Sequence, residues 1–179
     1  LKVSVTGGVG RLASAVVGDF TTPFPDNPPT VVIVEARAAD CLYRGAVAAD
    51  GSPRIVTGDL TTIMAGLACG EPNTIGWDIL RNHANAFLSC PDWVSAKGMG
   101  RRAARLGTDR AVVSGGSGAV GMGAVAAIMQ DPAYADLRQE LKLGRDSQVL
   151  VFSTEGDTDP ERYREIVWDG AYPSLEQDN

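Results

Sequence analysis

Residues 3–18 read VSVTGGVGRLASAVVG, and this stretch decides the fold. Val3–Thr6 is a short apolar strand. Gly7, Gly8 and Gly10 form a tight turn, and a helix is expected over Gly10–Phe20. A strand feeding a helix through glycines aims free backbone N–H groups at one point. The positive end of the helix dipole adds to them, so the turn suits an anion such as a phosphate.

Outward from this unit, four more apolar, β-branched runs read as strands: Thr30–Glu35, Arg54–Gly58, Ala111–Ser114 and Gln148–Ser153. Most lack polar alternation, as strands buried on both faces of a parallel sheet do. Helices are expected at Asp40–Ala48, Gly76–Leu88, Pro91–Leu106, Ser117–Met129, Pro132–Leu143 and Pro160–Val167, with a small-residue helix over Thr61–Cys69. Strands alternating with helices predict an α/β fold, a three-layer α/β/α arrangement on a mostly parallel sheet. Thr21–Pro29 is a proline-rich surface loop. Residues 1–168 form one domain, and Asp169–Asn179 reads as a fraying polar tail.

Composition narrows the function. The 179 residues carry a net charge of -6, which disfavours a nucleic-acid or anionic-membrane surface. Arg101, Arg102 and Arg105, the densest basic group, read as a solvated helix face. No apolar run approaches a membrane span, and no signal-peptide pattern opens the chain. Cys41, Cys69 and Cys90 read as reduced thiols of a cytoplasmic protein. With one histidine, His83, and no CxxC, no metal site is expected. His83 reads as a helix-surface or buried structural residue.

The residues alone leave the ligand open. Gly8-Val9-Gly10-Arg11-Leu12-Ala13 matches G-x-G-x-x-A, and Glu35 ends the next strand, where an acid would hold a ribose hydroxyl. On spacing, an NAD(P)-binding Rossmann-type oxidoreductase or dinucleotide module leads. A monophosphate cofactor such as pyridoxal phosphate fits the same cradle, and a ligand-free tight turn is the bland alternative. A second glycine-dense turn, Ser114–Gly121, resembles the first. There Gly118 and Gly121 would admit a flat ring or simply let a helix pack closely. A third candidate is Val149–Asp159, VLVFSTEGDTD, where a strand ends in Ser153-Thr154. A hydroxyl at a strand's carboxyl end can bond a ring nitrogen without carrying charge.

Taken together and in order, these motifs resemble one family. They are Gly8-Val9-Gly10, Val34-Glu35, Ala39–Arg44, Thr62–Asn73 with its Gly70-Glu71-Pro72-Asn73 loop, Gly76-Trp77, Ser114–Gly121, Ser153–Asp159, Tyr163-Arg164 and Val167-Trp168. The chain resembles the C-terminal part of the diaminopropionate ammonia-lyases, pyridoxal-phosphate enzymes of the tryptophan-synthase-β (fold type II) class. The resemblance implies the large-domain part of a fold type II enzyme. It implies a lyase that eliminates ammonia from 2,3-diaminopropionate to give pyruvate, a homodimer in amino-acid catabolism. The cofactor delocalises the carbanion at Cα. Gly7, Gly8, Val9, Gly10, Arg11 and Leu12 would hold its phosphate. Ser153 or Thr154 would face the ring nitrogen, a neutral partner that favours β-elimination over transamination. Glu71, Ser117 and Gly118 would line the pocket beside the ring.

Two departures accompany the resemblance. Gly116 stands where the family carries glutamate in Ser-Gly-Glu-Ser-Gly. The family's Schiff-base lysine and acid–base aspartates lie upstream of the phosphate loop, so they are expected ahead of Leu1. Lys2, Lys97 and Lys142 match no lysine motif and read as surface residues. The chain alone is then expected to be catalytically incomplete, with apolar faces that favour dimerisation or aggregation. Cys41 and Cys69 both fall on family cysteines, so a bridge and two thiols are both compatible with the pattern. A non-enzymatic interaction protein on a lyase-like fold is the third reading.

Overall fold

The more apolar of the sheet's two inner strands comes second in the chain. β2 (Thr30–Ala36) lies between β1 (Lys2–Thr6) and β3 (Ala86–Cys90), and β4 (Val149–Val151) pairs with the other side of β1. All pairings are parallel, with Val5 opposite Ile33, Ile33 opposite Phe87 and Ser4 opposite Val151. This computed structural model describes residues 1–104 and 106–173.

Alternation along β2 builds the two outer layers. Val31 and Ile33 join Val3 and Val5 in a core with α1 (Arg11–Thr21), α2 (Cys41–Ala48) and α3 (Thr74–His83). Val32 and Val34 face the opposite core, built with α4 (Asp92–Ala103), α5 (Gly116–Gln130) and α6 (Ala135–Glu140). The three-layer α/β/α expectation therefore holds. α7 (Pro160–Val167) packs on α4 through Ile166. α4 and α5 approach backbone to backbone. A Cβ on Gly98 would overlap the Ala119 carbonyl, and one on Gly123 would overlap that of Val94.

Several expected elements differ. Arg54–Gly58 and Ala111–Ser114 form no strand; Val56 N–H bonds the Gly70 carbonyl and Val112 N–H that of Arg102. The strand expected at Gln148–Ser153 shrinks to Val149–Val151. The helix expected over Gly76–Leu88 stops at His83, and Ala86–Cys90 becomes β3. Asn85 makes the switch: its N–H donates to the Val31 carbonyl, and its Oδ1 accepts from Val31 N–H at 2.7 Å. Asn85→Ala is expected to cost about 1–2 kcal/mol by leaving that N–H unpaired, read as a lower urea midpoint.

Thr61–Cys69 forms only a 3-10 turn, Ala65–Leu67, because Asp92 takes Thr62 Oγ1 and Ile63 N–H while Ser117 Oγ takes Gly66 N–H. Pro132–Leu143 divides into a 3-10 turn and α6. α4 ends at Ala103, short of Leu106. In the expected basic face, Arg101 is exposed against Gln130, Arg102 is half-buried, and Arg105 lies outside the described residues. His83 is exposed in the last turn of α3. Residues 169–173 fold back, with Tyr172 Oη accepting from Arg162 at 2.9 Å and Ala171 and Tyr172 packed beside Ile166. The rest of the expected tail, 174–179, lies outside the described residues.

Candidate functional site

The carboxyl ends of β1 and β2 and the start of α1 converge on the glycine turn. Gly7 N–H donates to the Val34 carbonyl at 2.8 Å, and Gly10 N–H closes the turn on the Gly7 carbonyl at 2.9 Å. Gly8 and Gly10 have φ of 53° and 90°, left-handed values that suit glycine. Gly7, Gly8 and Gly10 are buried, Val9 is half-buried, and Arg11 and Leu12 are exposed.

Four of the other six helix starts, those of α2, α3, α5 and α7, meet a side-chain oxygen, and α4 and α6 each carry an aspartate in the first turn. Asn73 Oδ1 caps α3, Asp159 caps α7, and Glu155 Oε2 accepts from Ser117 N–H at 2.7 Å in the first turn of α5. Glu35 accepts from Leu42 and Tyr43 N–H at the start of α2. At α1, Gly10 offers no side chain and the first turn holds no acid. Among the described residues, the N–H groups of Gly8, Val9, Arg11 and Leu12 meet no acceptor. That is the electrostatic environment an anion needs.

Glu35 corrects the dinucleotide reading. It is 1% exposed, and its carboxylate oxygens face the N–H groups of α2 at 3.1 and 2.7 Å. It points into the protein rather than toward a ribose. Burial pushes its pKa from 4.5 to about 7, against the lowering pull of the two backbone bonds.

A second cluster forms where α5 begins. Ser114, fully buried, pairs with Ser153 across 2.7 Å between hydroxyl oxygens. A Cβ on Gly118 would stand 2.8 and 2.9 Å from those two oxygens, so glycine leaves the hydroxyl pair its room. Thr154 is exposed. Glu155 also takes Gly115 N–H on its carbonyl at 3.0 Å. Ser117 Oγ accepts from Gly66 N–H at 2.9 Å, and the Gly66 carbonyl lies 3.6 Å from a Cβ position on Gly8. Gly66 thus bridges the two glycine turns. Beside α5, a cavity of about 180 Å³ is lined by Thr62, Ile63, Gly116, Glu155, Asp157 and Tyr163, among others.

Ser117, Gly118 and Ser153 therefore come together, and the Gly7–Gly10 turn meets them through Gly66. Glu71 makes no hydrogen bond to them; it is exposed on the loop whose Asn73 N–H docks on the Val9 carbonyl at 2.8 Å. Sequence reasoning missed two parts: Glu155 as the clamp on α5 and Asp92 as the anchor of the Thr62–Ile63 segment. Asp92 lies two residues past β3, and Glu155 two past the strand expected to end at Ser153, placements that could have drawn attention. Gly116 faces the Ile63 carbonyl, which a Cβ there would overlap.

The thiols Cys41, Cys69 and Cys90 are free, and Cys41 Sγ lies 3.7 Å from the Cys69 carbonyl. Among the described residues, no cluster of metal-binding side chains occurs and no helix is long and apolar enough to cross a membrane.

The comparison that decides the kinship is with the diaminopropionate ammonia-lyase of Salmonella typhimurium, 49% identical over 164 residues, 91% of this chain. This chain is homologous to a segment of the diaminopropionate ammonia-lyases. The Escherichia coli ammonia-lyase is 47% identical over 170 residues, 95% of the chain. The chain spans 41% and 42% of the lengths of these two relatives. No family model matches it. Among solved structures, the E. coli ammonia-lyase in complex with an aminoacrylate-PLP azomethine reaction intermediate superposes with a TM-score of 0.86 at 46% identity. That match covers 96% of this chain and 43% of the ammonia-lyase. Maize serine racemase matches with a TM-score of 0.67 at 19% identity, covering 90% of this chain and 44% of the other, a likeness of fold. The fold is that of the fold type II pyridoxal-phosphate enzymes.

Proposed function

We propose that this chain is the cofactor-binding part of a pyridoxal-phosphate-dependent lyase that converts 2,3-diaminopropionate to pyruvate and ammonia. The observation that carries the reading is the uncapped start of α1 behind the Gly7–Gly10 turn, in a fold matched by the E. coli ammonia-lyase. The residues present fit the group. A phosphate would take the N–H groups of Gly8, Val9, Arg11 and Leu12, which the chain leaves without acceptors. Ser153, held against Ser114, suits the ring nitrogen better than the exposed Thr154. When bound, the cofactor supplies an electron sink for the carbanion at Cα.

The chain's own residues bind and orient. A neutral hydroxyl at Ser153 accepts or donates one hydrogen bond without fixing a charge on its partner. Ser117 and Glu155 hold the first turn of α5 and, through Gly66, the wall between the two turns. Glu71 is exposed beside the Asn73–Val9 contact and remains available to line the pocket. Lys2, Lys97 and Lys142 make no hydrogen bond or ion pair to the cluster. Lys2 Nζ donates to Thr30, Lys97 lies over the Trp93 ring, and Lys142 is exposed. On this reading none of these three is the imine-forming lysine. The same reading makes residues 1–168 the cofactor unit of a cytoplasmic, homodimeric enzyme of amino-acid catabolism.

Pyridoxal phosphate is expected to raise the unfolding temperature of the 179-residue chain. At a hundredfold excess over its dissociation constant the gain is about 2.7 kcal/mol. Pyridoxal lacking the phosphate, and NAD(H), are expected to protect far less. Mixed with diaminopropionate and cofactor, the chain alone is expected to release no pyruvate. Protection by NAD(H) but not by pyridoxal phosphate would return the dinucleotide reading, and turnover by the chain alone would overturn this reading of the three lysines.

A further inference from the structure

We propose that Glu35 is a positioning residue for the anion cradle, coupling the glycine turn to α2 so that anion affinity follows the protonation of its carboxyl group. The inference rests on the cradle proposed above and adds a regulator buried behind it.

The packing places Glu35 against the turn. A Cβ on Gly7 would stand 2.6 Å from Glu35 Cγ, so only a glycine there leaves the side chain its path. Gly7 N–H bonds the carbonyl of Val34, the residue before Glu35. The carboxylate then reaches past the turn to Leu42 and Tyr43 N–H. Cys41 Sγ closes the hub, lying 3.7 Å from each of three oxygens: Glu35 Oε1, the Gly8 carbonyl and the Cys69 carbonyl. One buried carboxyl thus braces the turn, the start of α2 and the loop that runs on to Asn73.

Its charge works against its neighbour. A negative carboxylate buried behind the turn repels an anion held in front of it. A protonated carboxyl removes that repulsion. Anion binding near pH 7 therefore draws up to one proton from solvent onto Glu35, and by linkage ionisation of Glu35 weakens anion binding. The titratable groups facing Glu35 are Asp40 before α2, Cys41 on α2 and Cys90 on β3, and Arg37 after β2 acts on Cys90. Asp40 adds to the repulsion on the carboxylate, but it is already engaged by Arg44 and Ser89. Burial pushes both thiols up to about 12, so they stay neutral while Glu35 titrates near 7.

Sulfate is the clean probe, because it stays a dianion while Glu35 titrates. Its affinity for the chain, measured by calorimetry, is expected to fall on the order of tenfold as pH rises through about 7. Glu35→Gln is expected to flatten that profile. If the variant fails to fold, infrared difference spectra of the unaltered chain replace it. Adding sulfate near pH 7 is then expected to increase a protonated-carboxyl band. Sulfate binding with no pH dependence, or no such band, overturns the role of Glu35 and leaves the cradle standing. Absence of sulfate binding at every pH, with no protection by pyridoxal phosphate, removes the cradle itself and this inference with it.

Discussion

Gly123→Val is expected to leave the chain largely unfolded. The added Cβ would overlap the Val94 carbonyl, and no rotamer of valine avoids this, because the clash begins at Cβ. The neighbouring helix would have to move as a body. Overpacking of this kind costs about 1–3 kcal/mol where side chains can give way, and more where backbone must. A loss above about 3 kcal/mol is a large part of a domain's stability. The site would go with the interface, since Ser95 on α4 bonds the Gly116 carbonyl in the first turn of α5. Gly100→Ala on α4 is the control: a Cβ there meets nothing within 4 Å. That replacement is expected to be neutral or stabilising by about 0.5–1 kcal/mol. Urea midpoints of the two variants that moved alike would contradict this account of the helix contact.

Stability is expected to fall as pH rises from about 5 to about 8. Glu35 titrates near 4.5 when unfolded and near 7 when folded. Below the first value it is protonated in both states and favours neither. Between the two, the folded chain holds more proton than the unfolded one, so each rise in pH weakens the fold. Above about 7 the group is ionised in both states, and the full cost of burying its charge is present. At about 1.4 kcal/mol per unit, the loss is on the order of 3 kcal/mol. Asp50 and Asp59, whose pKa values are lowered by hydrogen bonds from Arg54 and Thr61, act in a lower window. Their support is lost only as pH falls through their depressed values. Glu35→Gln is expected to remove most of the slope in denaturant midpoints. A midpoint that stayed level or rose over the interval would contradict the burial of this charge.

The ends of the chain were legible in sequence because their signals are local. β1, α1, α2 and α7 follow from apolar runs, glycine punctuation and an aspartate cap, and α7 was bounded at Pro160–Val167 as found. β3 was not legible. Ala86–Cys90 continues the helical spacing of α3, and only a long-range bond from Asn85 to Val31 ends the helix. Arg54–Gly58 has the composition of a strand, but its recorded backbone bond is made to Gly70 rather than to a sheet neighbour. The glycine turn was legible as an anion cradle, yet its ligand was not: G-x-G-x-x-A with Glu35 fits a dinucleotide until the carboxylate is seen to face α2. The pairing of Ser114 with Ser153 spans 39 residues and leaves no periodic trace. Glu71 stood out by motif but is exposed.

The contact between Gly116 and the Ile63 carbonyl limits how this chain can be recombined. A glutamate at position 116 needs the Ile63–Met64 backbone to run elsewhere, and that path is pinned by Asp92 from one side and by Ser117 from the other. Segment 61–67 and the opening turn of α5 therefore pack as one unit. A chimera that takes α5 from a relative and keeps the native segment would join two halves that no longer interlock. Drift at either place is constrained by the other, although a long stretch of chain separates them.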